Sequence, residues 1–116
     1  MVRTGDYSLG KIYKIVSDQT DDIYIGSTCQ KLLSMRLAGH KLSYARWLGG
    51  KHNYISSFEI LKYDDCKIIL IESYPCNDKN ELLSRERYWV ENTKCINKNV
   101  PSRSKKNIAL IIEKKH

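Results

Sequence analysis

Two runs of residues alternate in the manner of β-strands, 9–16 and 23–27, and only six polar residues, Ser17-Asp18-Gln19-Thr20-Asp21-Asp22, separate them. So short a connection returns the second run beside the first, which commits the chain to an antiparallel hairpin with a loop longer than two residues. In the first run the two-residue repeat of a strand puts Ile12 and Val16 on one face and Leu9, Tyr13 and Ile15 on the other. After Gly26 the period changes. Residues 31–48 read as a helix whose apolar stripe is Leu33, Leu37, Tyr44 and Leu48, with Arg36, His40 and Trp47 at its edge. Arg36 and His40 stand four residues apart, so on a helix they point the same way.

Gly49-Gly50-Lys51 breaks that helix, and residues 53–63 read as a shorter one with Ile55, Phe58 and Leu61 apolar. Residues 66–74 form the next strand. The unbroken Ile68-Ile69-Leu70-Ile71 predicts that both of its faces are covered. Asp78 with Glu81 three residues later is a capping-box signature, opening a helix that runs to about Thr93. Its apolar residues Leu82, Leu83, Trp89 and Val90 bracket Glu86, which falls in the middle of the buried stripe, while Glu81, Arg85, Arg87 and Glu91 read as surface charge. An isolated buried carboxylate is very costly, so Glu86 is expected to be hydrogen-bonded, to pair with a cation such as Arg36, or to hold a metal ion. The element order β-β-α-(α)-β-α predicts a small α+β domain with a three-stranded antiparallel sheet flanked by helices. We expect residues 1–7 to be a loose leader, 8–97 the domain, and 98–116 a basic tail or short docked helix.

The formal charge of +7 and pI near 9.3 favour a polyanionic partner, nucleic acid before membrane, and no run is apolar for long enough to span a bilayer. The first residues lack the apolar core of a signal peptide, so an intracellular protein is expected, in cytoplasm or nucleus. The four cysteines, Cys29, Cys66, Cys76 and Cys95, contain no C-x-x-C and have no histidines at finger spacing. They read as reduced and mostly buried, with no zinc.

Ile12-Tyr13 on one strand, the intact triplet Tyr24-Ile25-Gly26 on the next, and Arg36 with His40 on the following helix together resemble the GIY-YIG nuclease family. Glu86, within Leu83 to Trp89, resembles the family's metal-binding glutamate, and Asn97 its asparagine just past that helix. Lys11 departs from the pattern, standing where the first triplet has glycine. The resemblance spans roughly residues 9–97 and implies a metal-dependent DNA endonuclease. By it, Tyr13 takes or relays the proton of the attacking water, with Tyr24 or His40 positioning it. Arg36 grips the phosphate, Glu86 holds one Mg²⁺ or Mn²⁺, and Gly26 and Asn97 support the site. Lys11, Lys41, Lys105 and Lys106 are expected to meet DNA. Lys11 projects from the same strand face as Tyr13, so its ammonium is further expected to favour the phenolate. The alternative, suggested by Lys11 itself, is a non-catalytic nucleic-acid-binding module that retains the fold.

Overall fold

The structure is a computed structural model, and it describes residues 6–97. Three antiparallel strands, β1 (Lys11–Ser17), β2 (Thr20–Thr28) and β3 (Lys67–Ser73), lie in the order β2-β1-β3. Helices α1 (Leu33–Leu48) and α2 (Phe58–Leu61) follow β2, and α3 (Lys79–Glu91) follows β3. The α+β architecture of the sequence reading is the one observed.

β1 is central because it is the strand with apolar residues of full burial on both sides. Tyr13 and Ile15 enter one cluster with Phe58, Ile60, Leu61 and Cys66, to which α1 adds Leu33, Leu37, Tyr44 and Trp47. Ile12 joins Ile25 and Leu82 in the other, against Trp89 and Val90 of α3. The sheet thus separates α1 and α2 from α3, and each helix covers the face that its own apolar stripe fits.

Several sequence expectations are corrected here. The hairpin loop is only Asp18-Gln19, because Thr20 already pairs with Ser17. Distant carboxylates make the short turn possible. Ser17 Oγ donates to Asp65 Oδ1 at 2.5 Å, Asp18 N–H to Asp65 Oδ2 at 3.0 Å, and the Gln19 amide to Asp64 and Asp65. β3 is an edge strand, and its apolar run is not covered on both faces: Ile69 is 38% and Leu70 48% exposed. Continuity of apolar residues does not say which strand ends up in the middle. On α1, Leu48 is exposed and His40 is buried, so the packed stripe is Leu33, Leu37, His40, Tyr44 and Trp47. Three of the cysteines are half-buried rather than buried.

α3 begins as its sequence signals. Asp78 Oδ1 accepts from Glu81 N–H at 2.9 Å, while the Glu81 carboxylate accepts from Asn77 N–H, one residue upstream of the reciprocal partner in a capping box. Arg85, expected as surface charge, instead reaches β3. Its Nε and Nη2 donate to Glu72 at 2.7 and 3.1 Å, and Trp89 Nε1 donates to the same carboxylate. This fork fixes the rotation of α3 about its axis, and with it the direction of Glu86 one residue on. Tyr7, expected in the leader, lies in a 3₁₀ turn (Tyr7–Leu9) capped by Asp6, and its carbonyl accepts from Gly10 and Cys76. No helix among the described residues is long and apolar enough to cross a membrane.

Candidate active site

Tyr13 is the centre of a hydrogen-bonded chain that crosses from sheet to helix. Its register opposite Gly26 on β2 is what makes room for it: a Cβ at Gly26 would lie 2.5 Å from the Tyr13 Cζ. The ring therefore lies close against the glycine and is fully buried, with the hydroxyl turned toward α1. There it meets two groups that helical spacing brings to one side. Arg36 Nε donates to the phenol oxygen at 3.1 Å, and His40 Nε2 lies 2.7 Å from it. The second tyrosine, Tyr24, sets its ring edge-on to His40, with centroids 5.6 Å apart.

Burial governs the electrostatics. It pushes the Tyr13 phenol above its ordinary value of 10.0, and the opposing pull of Arg36 is the smaller effect. Tyr24 is raised as well, by burial first and then by Tyr13. His40 is lowered to about 4, again by burial and then by the Arg36 charge, so its imidazole is neutral at pH 7. The expected role of Lys11 in this balance is not found. Its ammonium donates to the carbonyls of Leu9 and Gln30, at 2.8 Å each, and the phenol shifts up rather than down. Lys11 instead ties the entry of β1 to the exit of β2.

Glu86 approaches from α3, on the other side of the sheet. Its Oε1 accepts from Ser27 Oγ at 2.5 Å, and burial raises its carboxyl above the usual range against the pull of Ser27 and Arg36. The expected ion pair with Arg36 is not formed: among the described residues the ion pairs are Lys62–Glu59 and Arg85–Glu72. Glu86 still lies within electrostatic range of Tyr13, Tyr24 and Arg36. The site is thus wrapped around β2, where Gly26 leaves the strand bare. Asn97 holds that strand from its open edge: Oδ1 accepts from Ile25 N–H at 2.8 Å, and Nδ2 donates to Ile25 C=O at 2.6 Å. An edge residue two before Ser27 and one before Gly26 is thereby given the ladder bonds it lacks.

Two polar partners escaped the sequence reading. Ser27, the Glu86 partner, shares a strand face with Ile25 and could have been placed by the period-two rule. Ser57, whose Oγ lies 3.3 Å from His40 Nδ1, carries no local signal, since seventeen residues separate the pair. Of the lysines expected at DNA, Lys41 is exposed on α1 and Lys11 is engaged as described, while Lys105 and Lys106 lie outside the described residues.

As to metal, Glu86 is a hard oxygen donor with one oxygen left after Ser27 is served. Among the described residues no group of three or more His, Cys, Asp or Glu side chains converges. That donor set suits an ion of the Mg²⁺ kind, which keeps several waters and completes its shell with substrate phosphate, and does not suit an all-protein cage.

Comparison with known proteins bears on the fold and the family. The fold is similar to two solved structures of the catalytic domain of the endonuclease I-TevI. One, an intron endonuclease mutant, gives a TM-score of 0.54 at 21% identity over 82% of this chain and 96% of that one. The other gives 0.53 at 20% identity, over 77% and 97%. At such identity these matches speak for the fold. Curated protein sequences yield no significant match. The family model described as the GIY-YIG catalytic domain matches residues 9–99, most of the chain and every element of the site. By that match, the chain belongs to the GIY-YIG catalytic domain family.

Proposed function

We propose that the protein is a divalent-metal-dependent DNA endonuclease that hydrolyses phosphodiester bonds at the Tyr13–Arg36–His40–Glu86 site. The observation that carries this reading is the use of Arg36. Its Nε is spent on the buried phenol at 3.1 Å, which fixes the guanidinium plane, and no hydrogen bond to the described residues occupies the terminal nitrogens, which suit two phosphate oxygens. A non-catalytic module has no need of an arginine oriented through a buried tyrosine. The feature that suggested such a module, Lys11, has a structural occupation in the carbonyls of Leu9 and Gln30.

In hydrolysis water attacks phosphorus, and the bond to the leaving 3′-oxygen breaks as negative charge gathers on the phosphoryl oxygens. Arg36 meets that charge. Tyr13 rests as the phenol and positions Arg36; when the bound phosphate and its counter-charges change its surroundings, it passes its own proton to His40 Nε2 and takes that of the attacking water. His40 and Tyr24 hold the phenol in place. Glu86, with Ser27 orienting it, would hold one Mg²⁺ or Mn²⁺, which when bound neutralises phosphate charge and stabilises the leaving oxygen.

The charge distribution supports a divided labour. Residues 6–97 carry 13 Lys and Arg against 12 Asp and Glu, a net +1 (13 − 12), so six of the seven formal charges lie elsewhere in the chain. Non-specific affinity for the DNA backbone would come chiefly from the basic residues of 98–116, including Lys105 and Lys106, with Lys41 beside the site.

The test is supercoiled plasmid incubated with the full chain, in Mg²⁺ and then in EDTA. Cleavage in Mg²⁺ alone is expected. Glu86→Ala should lose it while still retarding DNA in a gel, and retention of more than about a tenth of the activity would remove Glu86 from the metal, since even indirect supports of a metal site are worth ~10- to 100-fold.

A further inference from the structure

Arg36 can only donate, and at 3.1 Å its Nε–H occupies a lone pair of the Tyr13 oxygen. The phenol has one hydrogen of its own. Among the described residues the remaining neighbour at hydrogen-bond distance is His40 Nε2, at 2.7 Å, so that hydrogen points there and Nε2 must present its lone pair. A neutral imidazole then carries its hydrogen on Nδ1. What faces Nδ1 is Ser57 Oγ, at 3.3 Å, in a residue with 0% exposure. Ser57 is held there by its own backbone: its carbonyl accepts from Ile60 and Leu61 N–H as α2 begins. The opposite tautomer would aim two donors at the phenol oxygen while leaving the phenol hydrogen unplaced. That arrangement suits only a phenolate.

We propose that Ser57 is a positioning residue of the active centre, which holds His40 in the Nδ1–H tautomer so that Nε2 accepts from Tyr13 and the phenol oxygen is left open to Arg36. The inference deepens the nuclease reading, on which its catalytic part rests; its tautomer part stands on geometry alone. When Tyr13 gives its proton to Nε2, the imidazole becomes the cation with hydrogen on both ring nitrogens, and Ser57 Oγ goes on accepting from Nδ1. An alanine there would fill almost the same space but hold neither tautomer.

The experiment uses the full chain with ¹⁵N-labelled histidine, and reads which ring nitrogen of His40 bears hydrogen from two-bond proton–nitrogen correlations at neutral pH. The expected result is hydrogen on Nδ1 in the wild type and a shift of population to Nε2 in Ser57→Ala, with plasmid turnover falling roughly fivefold, the worth of one neutral hydrogen bond. Ser57→Cys, which keeps a weak acceptor at nearly the same volume, should retain the wild-type tautomer and most of the turnover. Hydrogen on Nε2 in the wild type, or an unshifted tautomer in Ser57→Ala, would overturn the proposal. So would undiminished turnover in Ser57→Ala beside an active wild type. If Ser57→Ala fails to fold, the wild-type and Ser57→Cys spectra still decide. A wild-type chain that never cleaves DNA would sink the nuclease reading while leaving the tautomer measurement valid.

Discussion

Gly26→Ala tests the link between sheet packing and the site most directly. A Cβ at this position would sit 2.5 Å from Tyr13 Cζ, where ordinary contact begins at 3.4 Å, so the ring must retreat by about 0.9 Å (3.4 − 2.5). It has nowhere easy to go, being fully buried between β2 and the helices. The retreat also exceeds the slack in its hydrogen bonds, 2.7 Å to His40 and 3.1 Å to Arg36, against an ordinary upper length of about 3.2 Å. Overpacking of this kind costs roughly 1–3 kcal/mol, to be read from the urea midpoint followed by circular dichroism. If Arg36 is aimed through Tyr13, a misplacement near 1 Å lowers plasmid cleavage by a factor on the order of 10². Gly39→Ala is the control. Its Cβ would meet nothing within 4 Å and it lies inside α1, so it should stabilise by about 0.5–1 kcal/mol and leave cleavage unchanged. A Gly26→Ala protein as stable and as active as the wild type would refute the reasoning.

Three further outcomes follow from the same geometry. Arg36→Lys keeps the charge but loses the fork, so turnover should fall on the order of 10²-fold or more, and wild-type rates would reduce Arg36 to a steering charge. His40, lowered from 6.5 to about 4, binds a proton in the unfolded chain but not in the native one between those values. Stability should therefore rise with pH across that window, by up to roughly 3 kcal/mol, and His40→Gln should flatten the dependence; an equal slope in the variant would assign it to another group. Asn97→Ala strips both hydrogen bonds from the backbone of fully buried Ile25 and should cost about 2–4 kcal/mol in urea unfolding, with a loss under ~0.5 kcal/mol showing that water replaces the amide.

What the sequence determined by itself is the set of chemical groups and the elements that bear them. Tyr13, Tyr24, Arg36, His40 and Glu86 could be placed on strands and helices because strand and helix periods are local, set by backbone geometry within a few residues. The facing of Tyr13 away from Ile12 and of Arg36 toward His40 follows from those periods alone. The tertiary structure decided everything that depends on which surfaces meet. It made β3 an edge strand despite its apolar run, tightened the hairpin with Asp64 and Asp65, and buried His40 while leaving Leu48 exposed. It gave Arg85 to Glu72 and Lys11 to two carbonyls, where charge patterning had read surface and site. It also chose Ser57 and Ser27 as the partners of His40 and Glu86. Such pairings satisfy polar groups across long sequence separations, and a buried group's need for a partner is written in the chain only as a need. Which partner answers it is fixed when the sheet closes and the helices dock.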